Sequence, residues 1–183
     1  MALGDLTATV AKLAKDRPVS LFWIDVNRAS HLFGYRIRNQ ANVNGEVRIT
    51  VALNAWLERL ANARPPQLTL SGTGGDEVLI VDQGEDIEAS LAAVSRLIEA
   101  GQAPSIYEGV SPRVTLACEP LTMACGGLRT VPGAAGHELL GDLLSNVRQA
   151  KVIGSQGRLH SVLCFMGRPI AIRHPDDDPE AED

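Results

Sequence analysis

The chain has 183 residues, 45% of them hydrophobic and 21% charged, with a formal net charge of −5. That length is enough to bury one core, and the acidic balance excludes an overall basic field for gripping duplex nucleic acid. The N-terminal MALGDLTATV has neither the basic nor the apolar stretch of a signal peptide, and no apolar run approaches the roughly 20 residues of a bilayer span, so the expectation is a cytoplasmic protein with no membrane partner.

In chain order, residues 6–15 read as a short helix, broken by Asp16-Arg17-Pro18. Residues 19–25 form a nearly continuous apolar run that ends in the carboxylate of Asp25, the pattern of a central strand buried on both faces. Residues 26–42 are mixed, carry Arg28, Arg36 and Arg38, and read as a loop or short helix. Over 45–63 the positions Ile49, Leu53, Trp56, Leu57 and Leu60 follow helical spacing, although 47–53 also alternates like a strand; Pro65-Pro66 ends the element.

Residues 67–71 alternate, Gly72 to Gly75 turn, and 78–81 are apolar again, which is a β-hairpin signature. Ile87, Leu91, Val94 and Ile98 mark an amphipathic helix with Gly101 as its closing residue. Strand-like pieces follow at 113–118 and 121–125. Leu139, Leu140, Leu143, Val147 and Ala150 predict another helix, 159–165 a core strand, and 169–173 an edge strand. Residues 174–183 are acidic, bury nothing, and read as a disordered tail behind a single domain over 1–173. The three cysteines, Cys118, Cys125 and Cys164, form no CxxC pair and have no histidine at zinc-ligand spacing, which points to reduced thiols in or near strands. Helices and hairpin strands in this order predict an α/β sandwich, a mostly antiparallel sheet with helices against it.

The chemistry sits in the acids. Asp25 ends one strand, and Asp76 and Glu77 occupy the turn of the hairpin. If the hairpin lies beside that strand, the three carboxylates converge, and their repulsion and desolvation are relieved by a cation. Mg²⁺, or Mn²⁺ in its place, suits an all-oxygen set completed by substrate phosphates. Gly74 and Gly75 allow a tight turn with positive φ and a close approach of substrate to the backbone. A plain hairpin turn decorated with acids fits the same four residues.

Gly74-Gly75-Asp76-Glu77-Val78 resembles the signature of GGDEF domains, the catalytic domains of diguanylate cyclases, with Val for the final Phe. Residues 22–27 resemble that family's first strand, 121–126 its late core strand, and 150–154 its closing Ala-Lys-x-x-Gly; the likeness spans about 6–165. It implies a palm-type, ferredoxin-like α/β fold, an antiparallel-rich sheet flanked by helices. It also implies a nucleotidyltransferase that makes a cyclic dinucleotide or small cyclic oligonucleotide from nucleoside triphosphates. By this resemblance Asp25, Asp76 and Glu77 are the catalytic, metal-ligating acids, and Val26 adds its backbone carbonyl. Asp76 helps deprotonate the attacking 3′-hydroxyl, backbone amides of Asn27, Arg28, Ala29 and Ser30 cradle phosphates, and Lys151 contacts the triphosphate. Taken without the resemblance, Asn27 also reads as a strand-end turn former and Lys151 as a solvated helix-end lysine.

The chain departs from the family at several points. Asn27 stands for the second Asp of Asp-x-Asp, and Ala29-Ser30 for the Phe-Lys that follows. Phe33-Gly34 falls where an Asn reads guanine, Gly45-Glu46 where Gly-Asp precedes the long helix, and Gly72 where an Arg is usual. Residues 65–68 lack the Arg-x-x-Asp of product inhibition, and Ser155 replaces the Arg after the closing Gly. Keeping the acids while losing the guanine readers fits a divergent relative such as the minimal CRISPR polymerases, which make cyclic nucleotides in antiphage defence, and leaves ATP at least as eligible as GTP. Ring closure implies a homodimer or larger assembly, since one palm holds one triphosphate. The competing expectation is a degenerate GGDEF domain that binds a nucleotide or a protein without chemistry.

Overall fold

The apolar run after Pro18 forms β1, Ser20–Val26, whose residues are all buried except the half-buried Asp25. In the computed structural model, which describes residues 3–27, 44–72, 75–102, 106–108, 115–117, 121–156 and 160–173, this strand sits in the middle of the main sheet. The helices are α1 (Leu3–Leu13), α2 (Asn44–Ala63), α3 (Ile87–Gln102) and α4 (Gly136–Gly154). The other strands are β2 (Leu68–Gly72), β3 (Glu77–Asp82), β4 (Ile106–Glu108), β5 (Thr115–Ala117), β6 (Met123–Arg129), β7 (Val162–Phe165) and β8 (Arg168–Ala171). The six-stranded sheet runs β2-β3-β1-β6-β7-β8, and β4 and β5 pair separately. Every neighbouring pair is antiparallel except β6 and β7.

Alternation along β1 divides the core in two. Phe22, Ile24 and Val26 pack with Trp56, Leu60, Leu97 and Ile98 of α2 and α3. Leu21 and Trp23 pack on the other face with Leu6 and Val10 of α1 and Leu139, Leu143 and Val147 of α4. A strand covered on both faces needs apolar residues at consecutive positions, which is why this run shows no alternation in sequence.

The palm-type expectation holds, as does the hairpin, whose β3 lies directly beside β1. The alternating piece 47–53 is helical, as the first half of α2. Gly101 is the penultimate residue of α3, one position before Gln102. A Cβ there would stand 3.0–3.1 Å from Leu60, Met123 and Trp56, so its small size serves packing. Helix α1 begins and ends earlier than 6–15, and β7 begins later than 159. Strand β6 runs past 125 through Gly126 and Gly127, residues that weaken any strand signal. The brief β4 has no counterpart among the predicted elements. Cys125 and Cys164 are buried free thiols in β6 and β7, and burial pushes the Cys125 thiol far up. Cys118 and the acidic tail, 174–183, lie outside the described residues.

Gly126 is where α4 touches the sheet. A Cβ at this position would lie 2.5 Å from both the Leu143 carbonyl oxygen and the Val147 amide nitrogen, so the helix rests on bare strand backbone. Next to it the Asn146 side-chain amide donates to the Gly127 carbonyl at 3.0 Å. These contacts fix the height of α4 above the sheet and therefore the position of its last turn.

Candidate functional site

Leu21, Trp23 and Asp25 share the α4 face of β1, so the first polar residue on that face arrives where the strand leaves the core. Asp25 has two cross-strand partners, Glu77 on β3 and Ala124 on β6. The Val26 N–H donates to the Asp76 carbonyl at 3.0 Å. That makes Val26 and Asp76 a hydrogen-bonded pair. By alternation Asp25 and Glu77 form the adjacent non-hydrogen-bonded pair, in which side chains stand closer. Two carboxylates directly opposite one another on one face are destabilising, and Asp76 adds a third charge beside them. Burial holds the Glu77 carboxyl above its ordinary value, the charges of Asp25 and Asp76 raise it further, and Lys151 opposes them. Burial likewise raises Asp25, against the hydrogen bond and charge of Lys151, and Asp76 adds to the rise.

Lys151 lies in the last turn of α4, one turn beyond Val147. Its Nζ donates to Asp25 Oδ2 at 2.6 Å. The carboxylate is 14% exposed and the lysine 44%, so the pair joins a sheltered anion to a cation on a solvated stem. Ala124, beside Asp25 on β6, carries nothing beyond Cβ that could intervene.

The structure thus brings together Asp25, Asp76, Glu77 and Lys151, with Val26 buried next to them. Asn27 is buried and turned toward β6. Its backbone N–H donates to the Thr122 carbonyl at 2.8 Å and its side-chain amide to Thr122 Oγ1 at 3.3 Å, so the first amide of the expected phosphate cradle is already engaged. Gly75 is exposed, and among the described residues a Cβ there would meet Leu53 at 3.5 Å, an ordinary contact. Arg28, Ala29, Ser30 and Gly74 lie outside the described residues. The ion pair of Lys151 with Asp25 and the Thr122 anchor of Asn27 were not anticipated, because neither follows from spacing along the chain.

Among the described residues no group of three or more His, Cys, Asp or Glu side chains is placed to hold a metal ion by itself. The donors gathered at the end of β1 are nevertheless all hard oxygens. That set fits Mg²⁺ or Mn²⁺, which commonly take one or two carboxylates and complete their shell with water and substrate phosphates. A groove of about 550 Å³ lined by Thr9, Lys12, Leu13, Asp16, Arg17, Val19 and Gln83 lies at the opposite end of β1. It starts beside Val19, roughly 20 Å of strand from Asp25, and takes no part in this site.

A central strand ending in a carboxylate, flanked by an acidic hairpin and by a helix pinned through glycine, is a palm-type arrangement. Solved structures with this fold include GGDEF domains, and the chain has a GGDEF-like fold. A GGDEF-containing protein from M. capsulatus superposes with a TM-score of 0.60 at 18% identity, covering 90% of this chain and 96% of that one. The GGDEF domain of DgcB from Caulobacter crescentus, in complex with c-di-GMP, gives 0.61 at 12% identity, over 90% and 88%. The diguanylate cyclase SiaD from Pseudomonas aeruginosa, in complex with its activator SiaC, gives 0.63 at 12% identity, over 82% of this chain and 53% of that one. No protein-family model and no curated protein matches the sequence. Among the described residues no helix is long and apolar enough to cross a membrane.

The crowding of the acids has a measurable sign. Asp25 and Glu77 titrate higher in the folded chain than in the unfolded one. Their protonation therefore favours the fold, and that contribution is present at low pH and lost as pH rises through the folded values. Without divalent ions, Glu77→Gln is expected to melt above the wild type near about pH 7.5 and to converge with it below about pH 4. Thermal melts across this range decide the matter, and midpoints that run parallel at every pH would show that Glu77 carries no such strain.

Proposed function

We propose that the chain is a metal-dependent nucleotidyltransferase of the diguanylate-cyclase type, which joins nucleoside triphosphates into a cyclic dinucleotide or small cyclic oligonucleotide. The observation that carries this reading is the meeting of Asp25, Asp76 and Glu77 from two strands at one sheet end, with Lys151 above them. Three repelling carboxylates in one place cost stability, and such a cost persists where it serves chemistry.

In this reading the residues divide the work. Asp25 and Glu77, with the Val26 carbonyl, would hold Mg²⁺ or Mn²⁺. When bound, the cation supplies charge neutralisation of the triphosphate and acidification of the attacking 3′-hydroxyl. Asp76 accepts the proton of that hydroxyl as its oxygen attacks the α-phosphate in line and pyrophosphate departs. Lys151 neutralises the triphosphate. The amides of Arg28, Ala29 and Ser30 remain to cradle its phosphates, since the Asn27 amide is engaged with Thr122. Gly74 and Gly75 lack side chains and so let the nucleotide approach the hairpin; among the described residues a Cβ at Gly75 would meet Leu53 alone within 4 Å. The product bridges two palms, so the working unit is a homodimer or higher assembly in the cytoplasm. The substrate is ATP or GTP, because Phe33-Gly34 replaces the guanine reader. A cyclic nucleotide made by a palm of this divergent kind suits a second messenger of antiphage defence.

The test is incubation of the folded protein with each triphosphate and with mixtures, in Mg²⁺ or Mn²⁺, following pyrophosphate release and the product mass. Release of pyrophosphate with a cyclic product is expected, and none from any triphosphate overturns the reading. A second reading, a nucleotide- or protein-binding module without turnover, draws on the same ion pair, because Lys151 satisfies Asp25 without any ligand. SiaD, with the same fold, is seen bound to a protein activator. Tight triphosphate binding without pyrophosphate would favour this second reading.

A further inference from the structure

We propose that Lys151 is the resident counter-cation of Asp25 and competes with a divalent cation for that carboxylate, so that a triphosphate opens the metal site by drawing the ammonium away. This rests on the proposed metal-dependent site and adds a rule for how it loads.

Asp25 is 14% exposed, so water screens its carboxylate poorly, and a charge held in such a place requires a partner. Lys151 is that partner, at 2.6 Å, a charge-assisted hydrogen bond at the short end of its range. Its ammonium also bears on Glu77, so both acids that would hold a cation are already attended by one positive charge. A divalent ion arriving at Asp25 must displace the ammonium or bind beside it, and two cations on one carboxylate repel.

The lysine is built to leave. It is 44% exposed and sits in the last turn of α4. Its four-carbon stem swings at little cost while the helix stays anchored at Gly126. A triphosphate with several negative oxygens offers the ammonium a stronger partner than one carboxylate does. Once Lys151 turns to the phosphates, Asp25 is free for the metal, so metal and substrate enter as linked events and neither is held firmly alone.

The experiment uses Mn²⁺ alone, read by the electron paramagnetic resonance signal of the free ion, on the full chain without nucleotide. Lys151→Met removes the ammonium and keeps the length of the stem. It is expected to bind Mn²⁺ about tenfold tighter than the wild type, and Lys151→Arg to stay near the wild type. The gap between wild type and Lys151→Met should close when a non-hydrolysable triphosphate is added; a gap that persists overturns the exchange. Equal Mn²⁺ affinity of wild type and Lys151→Met, with Asp25→Asn weakening both, overturns the competition while leaving the metal site standing. If Asp25→Asn changes Mn²⁺ binding in neither background, the metal site itself falls and this inference with it. Thermal melts confirm that each variant is folded.

Discussion

Asp76→Ala is expected to fold as the wild type does and to lose roughly 10²–10³-fold in pyrophosphate release, within the range for removing a general base. The reason it should fold is specific. Asp76 anchors the hairpin to β1 through its backbone carbonyl, which accepts the Val26 N–H, and the substitution leaves that bond in place. Its side chain contributes repulsion rather than cohesion, since its charge raises both Asp25 and Glu77. The melting temperature should therefore hold or rise while turnover collapses, a combination that a merely structural acid would not produce. Parallel rates of pyrophosphate release and thermal melts on the two proteins check it, and undiminished turnover would remove Asp76 from the chemistry. The pH response should move with it, because losing the Asp76 charge lowers the carboxyls of Asp25 and Glu77 toward their ordinary range.

The same residues show what could be read from the chain and what could not. A strand buried on both faces is legible because 19–24 offers Ser20 as its one polar position, and the carboxylate that ends it marks the exit from the core. The hairpin was legible from its glycines and from the alternation before it. Its adjacency to β1 was an assumption, and the register of Asp25 against Glu77 turns it into a geometric fact. What stayed hidden depended on contacts between distant segments. Gly101 stands where a closing glycine would stand, yet it is small because Trp56, Leu60 and Met123 crowd it. Gly126 and Gly127 interrupt the strand pattern of β6 because a helix on one side and the rings of Phe22 and Phe165 on the other leave no room for side chains. Asn27 was read through its neighbour Asp25, but its partner is Thr122, 95 residues away. Lys151 resembles a phosphate contact of the family, and only the packing of α4 brings it to Asp25.

That packing predicts a large effect from one small substitution, Gly126→Ala. The added methyl would stand 2.5 Å from the Leu143 carbonyl oxygen and from the Val147 amide nitrogen, both backbone atoms of α4, and 2.7 Å from Val147 Cγ2. A side chain could rotate away, but helix backbone cannot, so α4 must lift from β6. Overpacking of this kind costs about 3 kcal/mol, the upper end of its usual range, and in a chain of this size should lower the melting temperature by about 6–12 °C. Gly141→Ala is the matched comparison. It lies on the same helix with nothing within 4 Å of a would-be Cβ, and it should stabilise by about 0.5–1 kcal/mol through helix propensity alone. Because Lys151 follows Val147 by one turn, lifting α4 also carries the ammonium away from Asp25. Gly126→Ala should therefore lose turnover even at temperatures where it remains folded, whereas Gly141→Ala keeps it. Equal melting temperatures for the two variants would mean that α4 does not rest on the strand at Gly126, and the placement of Lys151 over the acids would need another cause.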